Sequence, residues 1–87
     1  MTFKVKPDPK VEDIFRRLVK KDRQQFEQIK RKLEGLAENP NIGKPLRYDL
    51  KGERRIHIGH FVLTYSININ ENLIRLLDYD HHDNVYK

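Results

Sequence analysis

The chain has 87 residues, no cysteine and a formal net charge of +5, a length that supports one domain with a single modest core. The absence of cysteine excludes a disulfide framework, a thiolate nucleophile and a cysteine-ligated zinc site. No signal peptide or membrane-spanning stretch is recognisable, so we expect one cytoplasmic domain over residues 1–87 that needs no membrane, and the positive charge indicates an anionic partner.

The first half of the chain predicts one strand followed by two helices. Residues 2–6 alternate apolar and polar side chains, as a half-buried strand does. Asp8 and Pro9 suit a helix start, and apolar residues then follow at helical spacing: Val11, Ile14, Phe15, Leu18 and Val19. A second helix is predicted from a cap at Asp22 to a break at Asn39. Two helices with almost no loop between them should form an antiparallel hairpin.

The second half has the period of strands. A turn-rich connection over residues 44–46 leads to a strand at residues 55–58, and Gly59-His60 predicts a two-residue hairpin turn. A last strand is predicted at residues 73–77. The returning strand between them places one apolar face toward a core: Phe61, Leu63, Tyr65, Ile67 and Ile69. The order β-α-α-β-β-β predicts an α+β fold, a mainly antiparallel twisted sheet with the helical hairpin on one face and the other face open.

The excess of positive charge and the histidines lie in different halves of the chain. Residues 1–46 hold 12 Lys and Arg against 7 Asp and Glu, whereas residues 47–87 hold 6 of each and all four histidines. The run Lys30-Arg31-Lys32 is either an ordinary solvated helix face or a binding site for an anion. Capture of an anion and proton transfer are therefore expected from different segments.

Arg55 and His57 lie on the same side of their predicted strand, about 7 Å apart by strand rise. If Ile56 and Ile58 face the helices, these two side chains face outward, on the open face of the sheet. Arginine can hold phosphate oxygens through paired hydrogen bonds, and a neighbouring histidine can move a proton or add charge. The plain alternative is a pair of solvent-facing strand residues.

The last residues of the chain concentrate groups that transfer protons. His81 and His82 are adjacent, so in an extended segment their side chains point to opposite faces, and the nearby aspartates do not reproduce a known zinc spacing. We therefore predict no metal and no cofactor. The remaining alternatives are a polar tail without function and an acid–base group completed by Tyr86.

Three segments, in this order, resemble the RelE/ParE toxin superfamily, and the resemblance spans nearly the whole chain: NPNIG at 39–43, RIHIGHFVLTY at 55–65 and HHDNVY at 81–86. Members of that superfamily are toxins of bacterial and archaeal toxin–antitoxin pairs, and the RelE-like branch cuts messenger RNA in the ribosomal decoding site without a metal. The resemblance implies a RelE-like fold of two helices on a twisted sheet. It also implies a cognate acidic antitoxin and ribosome-bound mRNA as partners.

The resemblance also assigns roles to residues. Arg55 matches a basic position that contacts RNA, and His57 is its neighbour; His81, His82 and Tyr86 match the histidine, arginine and tyrosine of the common ending. The expected reaction has His81 or Tyr86 as base, Arg55 and protonated His57 stabilising the phosphorane, and His82 protonating the departing oxygen. Further residues are expected to bind RNA: Arg47, Lys51, Arg54, Lys30, Arg31 and Lys32.

One position departs from the superfamily pattern. Val62 stands where an arginine is common on the strand after the hairpin, so a phosphate-stabilising charge is missing or comes from Arg54 or Arg47. Two alternatives to the nuclease follow from this departure. One is a ParE-type poison that inhibits DNA gyrase without cutting RNA, and the other is a toxin-fold protein that only binds an antitoxin.

Overall fold

The structure, a computed structural model, describes residues 2–46 and 52–85. Its elements in chain order are β1 (Lys4–Pro7), α1 (Pro9–Lys21), α2 (Arg23–Glu38), a 3-10 turn (Pro40–Ile42), β2 (Lys44–Pro45), β3 (Glu53–Ile58), β4 (Phe61–Asn68), β5 (Leu73–His81) and α3 (His82–Val85). The sheet has the strand order β1-β5-β4-β3-β2, in which β1 and β5 are parallel and the other pairs are antiparallel. The predicted α+β fold with a helical hairpin is confirmed.

Asp22 separates the two long helices and caps the second one. Its backbone N–H donates to the Leu18 carbonyl at 2.8 Å, and its carboxylate accepts from the Gln25 N–H at 3.1 Å. The predicted cap is therefore confirmed. Asp8 also precedes its helix as expected, but its carboxylate makes no cap bond. It accepts instead from the Arg75 guanidinium at 2.7 Å, which fastens the start of α1 to β5.

The core lies between the helical hairpin and one face of the sheet. Helical spacing turns one stripe of each helix toward the sheet, and strand alternation turns every second residue of the sheet toward the helices. Ile56, Ile58 and Leu63 lie in this core as predicted, and Phe61 packs against it. The other buried members of the core are Val11, Phe15, Ile29, Leu36, Tyr65, Ile74, Leu76 and Tyr79.

The strands differ from prediction in three places. Lys44 and Pro45 form a short edge strand instead of a turn, with Lys44 opposite Arg55. Ile69 was expected on the core face, but β4 ends at Asn68 and the Ile69 side chain is 76% exposed. The last strand continues to His81, because residues 78–81 pair with residues 61–64 beyond a bulge at which Leu77 has no partner of its own. This bulge lets Tyr79 reach the core three residues after Leu76.

The hydroxyl group of Tyr65 holds the 3-10 turn against the sheet. It donates to the Pro40 carbonyl at 2.7 Å and accepts from the Gly43 N–H at 3.0 Å. A Cβ atom at Gly43 would collide with this hydroxyl and would lie 2.9 Å from the Arg55 carbonyl oxygen, so the close approach requires glycine. The turn leading into β2 is therefore fixed by a buried hydrogen-bonded group.

Tyr65→Phe is expected to lower the free energy of unfolding by about 1–3 kcal/mol, because it leaves the Pro40 carbonyl and the Gly43 N–H without their buried partner. Urea unfolding with an unchanged m-value would measure the loss. Tyr79→Phe is the matched control, since the Tyr79 hydroxyl donates to a side chain, Gln25 Oε1 at 3.0 Å. A Tyr65→Phe loss no greater than the Tyr79→Phe loss would contradict the role given to the Tyr65 hydroxyl.

The buried phenol of Tyr79 should make the free energy of unfolding depend on pH in the alkaline range. Burial, with a smaller contribution from the Asp22 charge, raises the pKa of Tyr79 from 10.0 to about 12. The folded state therefore favours the neutral phenol, and this stabilisation is complete below pH 10 and is lost as the pH rises through 12. The free energy of unfolding should fall more steeply over this window in the wild type than in Tyr79→Phe. Urea titrations of both proteins across the window would measure it, and equal slopes would contradict the prediction.

Candidate functional site

The open face of the sheet carries side chains from three neighbouring strands. Arg55 and His57 alternate with the buried Ile56 and Ile58, so they lie on the face opposite the helices. In the register of the sheet, His57 is opposite Val62, and Val62 is opposite Asp80 on the next strand. The predicted placement of Arg55 and His57 on the open face agrees with this register.

His57 and His82 meet on the open face. Their ring centroids are 5.8 Å apart, and the ring planes are inclined at 39°. β3 supplies His57, whereas His82 is the first residue of α3 and donates its backbone N–H to the His60 carbonyl at 2.8 Å. Both side chains are exposed. Two imidazoles that are distant in sequence are therefore close together in a place that a ligand can reach.

His81 lies on the other face of the sheet. Its ring contacts Phe61 edge-on, with centroids 5.3 Å apart, and stacks on His60 at 6.3 Å. Phe61 in turn stacks on Tyr79 on the helix side, at 5.0 Å. The expectation that His81 and His82 point to opposite faces is therefore met. The four histidines form two pairs, His57 with His82 on the open face and His60 with His81 on the helix side.

Asp80 fixes α3 beside the open-face histidines. Its carboxylate accepts from the Asn84 side-chain amide at 3.1 Å and from the His81 N–H at 2.8 Å. These two hydrogen bonds lower the pKa of Asp80 below its ordinary value, so the carboxylate is ionised at neutral pH. Val62 is only 1% exposed although it lies on the open face of β4, and α3 contacts the same strand.

The other predicted RNA-binding residues are divided among three places. The Arg54 guanidinium donates to the Gly43 carbonyl at 2.6 Å and to the Asn41 carbonyl at 3.3 Å, so it braces the 3-10 turn. Arg31 and Lys32 line a groove between α2 and the Gly59 turn. The Lys30 Nζ atom lies 3.9 Å from Glu27 Oε1 on the same helix. Their contacts with RNA stay predictions. The predicted residues Arg47, Lys51 and Tyr86 lie outside the described part of the chain.

Lys44 was missed by the sequence reasoning. It lies opposite Arg55 and, with Ile42, Arg55, Ile56 and His57, lines a pocket of about 140 Å³. A two-residue strand has no periodicity that a sequence can display, so only its pairing with β3 shows which face the Lys44 side chain joins. Within residues 2–46 and 52–85, no three His, Cys, Asp or Glu side chains are grouped as metal ligands, and no helix is long and apolar enough to cross a membrane.

Comparison with known proteins decides the family. Residues 5–86 match the family model described as ParE toxin of type II toxin–antitoxin system, parDE. The chain belongs to the RelE/ParE superfamily of type II toxins. This membership confirms the resemblance seen in the three sequence segments, and the matched range includes every predicted catalytic position.

Relatives and solved structures of this superfamily agree with the assignment. The toxin is 34% identical over 86 residues to a Methanocaldococcus jannaschii protein named "Putative toxin RelE4", an alignment that covers 98% of this chain and 92% of that one. Its fold is similar to that of a chain in the RelBE2 toxin–antitoxin complex of Mycobacterium tuberculosis, with a TM-score of 0.78 and 22% identity. The match covers 93% of this chain and 99% of that chain. The fold is also similar to that of a YoeB/ParE toxin from Agrobacterium tumefaciens, with a TM-score of 0.80 and 16% identity. This match covers 92% of this chain and 99% of that chain.

Proposed function

We propose that this toxin is a ribosome-dependent endoribonuclease that cuts messenger RNA by attack of the RNA's own 2′-hydroxyl. The observation that carries the proposal is the His57–His82 pair, 5.8 Å apart on the open face beside Arg55. Two imidazoles at this separation can reach two oxygen atoms of one phosphodiester, and histidine is the side chain best suited to proton transfer at neutral pH.

The reaction needs a base, an acid and a positive charge. The base takes the proton of the 2′-hydroxyl, the 2′-oxygen forms a bond to phosphorus, and the bond from phosphorus to the 5′-oxygen breaks. The acid gives a proton to that departing oxygen. The products are a 2′,3′-cyclic phosphate and a 5′-hydroxyl, so neither water nor an oxidant is consumed. Arg55 stabilises the negative charge that develops on the phosphorane oxygens.

We assign His82 as the acid, the role expected for it from the sequence, and His57 as the base, because the His57 ring lies beside it with the ring centroids 5.8 Å apart. The sequence favoured His81 or Tyr86 as the base. The His81 ring lies on the helix side, where its Nδ1 accepts the Asp83 N–H at 3.1 Å, so it does not share the space between His57 and His82. We therefore propose His57 as the base in place of His81; Tyr86, the other base expected from the sequence, lies outside the described residues.

An acidic antitoxin is proposed as the partner that silences the toxin. The structure of similar fold from Mycobacterium tuberculosis is a toxin–antitoxin complex, and a chain with a net charge of +5 attracts an acidic protein. Induced expression of the toxin should stop growth, and co-expression of an adjacent acidic partner should restore it. Normal growth on induction, with no partner in pull-downs, would contradict this part of the proposal.

A gyrase poison is the second candidate function. The family model is described by the name ParE. In addition, Val62 stands where the superfamily commonly has an arginine that RNA cleavage would use. Purified toxin should be tested on mRNA-programmed ribosomes and, in parallel, on supercoiling by DNA gyrase. Cleavage with cyclic phosphate ends and unchanged supercoiling supports the nuclease. Inhibited supercoiling with intact mRNA would overturn it.

A further inference from the structure

A groove on the helix side of the sheet, here called the hairpin groove, runs between α2 and the turn that joins β3 to β4. It has two adjoining compartments of about 400 and 360 Å³, which share Gln28, Ile58 and Gly59. Both volumes lie in the usual range of small-molecule sites. Arg31 and Lys32 line the first compartment. The lining of the second includes Asp22, Gln24, Gln25 and Phe61.

The spacing along α2 places the polar residues of the hairpin groove on one face of the helix. Gln24, Gln28 and Arg31 recur at i, i+4 and i+7, so their side chains lie in a row. Across the groove, Gly59 has a φ of 61°, a conformation that favours glycine. A Cβ atom at Gly59 would lie 3.8 Å from Gln28 Oε1. The turn therefore presents only backbone to the helix at the junction of the two compartments.

The first compartment is the cationic end of the hairpin groove. Arg31 and Lys32 are exposed there, and among the described residues none that lines this compartment is acidic. The neighbouring carboxylates of α2 lie outside the lining. Glu27 Oε1 is 3.9 Å from Lys30 Nζ, and Glu34 is exposed to solvent. An anionic group in this compartment would therefore meet two positive charges.

The second compartment offers hydrogen-bond acceptors and an apolar surface. The Asp22 carboxylate accepts the Gln25 N–H at 3.1 Å, which uses one of its roughly four acceptor positions. The Gln25 side chain is held in place, because its Oε1 accepts from the Tyr79 hydroxyl at 3.0 Å. Ile58 and Phe61 supply the apolar surface. A flat ring that carries N–H donors fits this combination of groups.

We infer that the hairpin groove binds one nucleotide, with its phosphate at Arg31 and Lys32 and its base beside Asp22. Seven residues of helix separate Gln24 from Arg31, about 10 Å at 1.5 Å per residue, which is the scale of one nucleotide from base to phosphate. Guanine is the expected base, because its ring N–H and amino group are adjacent donors that one carboxylate can accept. An acidic peptide fits less well, since Asp22 repels its carboxylates.

The hairpin groove is on the opposite side of the sheet from Arg55, so binding there goes beyond the proposed function and does not depend on it. Guanosine 5′-monophosphate, titrated into the purified toxin and followed by amide NMR shifts, is the direct probe. The amides of Gln28, Arg31, Lys32 and Gly59 should shift together. Shifts confined to the open face would overturn the inference.

Arg31→Ala is expected to weaken binding of guanosine 5′-monophosphate by about tenfold, because a charged hydrogen bond to the phosphate is lost. Arg23→Ala is the matched control. It removes the same charge from an exposed position of the same helix, and Arg23 lines neither compartment. Its affinity should equal that of the wild type. Equal affinities in Arg31→Ala and Arg23→Ala would overturn the site.

Inosine 5′-monophosphate, which lacks the amino group of guanine, tests the placement of the base. The wild type should bind it about tenfold more weakly than guanosine 5′-monophosphate, because the carboxylate loses one donor. Asp22→Asn should bind the two nucleotides more equally, and its amide oxygen can still accept the Gln25 N–H that caps α2. Equal binding of both nucleotides by the wild type would contradict the position given to the base.

A free nucleotide and an RNA strand can supply the same chemistry. A short oligoribonucleotide with one guanine, made uncleavable by 2′-O-methyl groups, separates them. If it binds more tightly than the mononucleotide and depends on Arg31, the ligand is RNA; if it binds more weakly, the ligand is a free nucleotide. A glutamate-rich peptide that binds the groove more tightly than either would overturn the inference. If these shifts appear in a toxin that cuts no RNA, the groove stands and the nuclease proposal fails.

Discussion

His82→Ala is expected to lower the single-turnover rate of mRNA cleavage on programmed ribosomes by about 10²–10⁴-fold, the usual contribution of a positioned acid or base. Ribosome binding should change little, because the substitution removes no permanent charge. His57→Ala should show the same pattern, because the base and the acid act on the same phosphodiester. Rates at saturating ribosome concentration, with binding measured separately at two salt concentrations, distinguish the two effects.

His60→Ala is the matched control for His82→Ala. It removes the same imidazole group from an exposed position, and the His60 ring stacks on His81 on the helix side of the sheet, at 6.3 Å. The backbone carbonyl that accepts from the His82 N–H is retained. The rate of His60→Ala should therefore stay near that of the wild type. Equal losses of binding and rate in His82→Ala would instead mean that α3 is an anchor for the ribosome.

Arg55→Ala is expected to weaken RNA binding and to slow cleavage more strongly than it weakens binding. A charged donor that meets a developing oxyanion contributes about 3–4 kcal/mol to the transition state, which corresponds to about 10²–10³ in rate. The ground-state phosphate carries less charge on the same oxygens, so the loss of affinity is smaller. Single-turnover rates measured across a range of ribosome concentrations give both quantities.

Arg17→Ala controls for the loss of one arginine charge. Arg17 is exposed on α1, where its Nε donates to the Asp13 carbonyl at 3.4 Å, and it lies in the helix layer on the other side of the sheet. Its substitution should leave the rate at saturation unchanged. An Arg55→Ala variant with weakened binding and a normal rate at saturation would show that Arg55 only positions RNA.

The helical half of the fold could be predicted from the sequence because its signals are local. The cap at Asp22 and the stripe from Val11 to Val19 determine the helices within a few residues of each position. The edge strand β2 and the bulge at Leu77 depend on pairing with distant residues, which local periodicity does not encode. The extension of β5 past Leu77 was missed because Asp78 and Asp80 interrupt the apolar run, and only pairing with β4 shows that the strand continues.

The candidate site was predictable only in part. Strand alternation placed Arg55 and His57 on the open face, and adjacency predicted that His81 and His82 diverge. Which of those two histidines joins His57 depends on the residue gained at the bulge, because a shift of one residue exchanges the two faces of a strand. The meeting of His57 with His82 is therefore a property of the tertiary structure, as is the pairing of Lys44 with Arg55.

The central claim, proton transfer by His82 to the departing oxygen, is tested most directly with an mRNA whose 5′-oxygen at the cleaved bond is replaced by sulfur. A thiolate leaves without a proton, so this substrate needs no acid but still needs the base. His82→Ala should be slow on the oxygen substrate and close to the wild-type rate on the sulfur substrate, whereas His57→Ala should be slow on both. An equal fold-loss for His82→Ala on the two substrates would contradict the account.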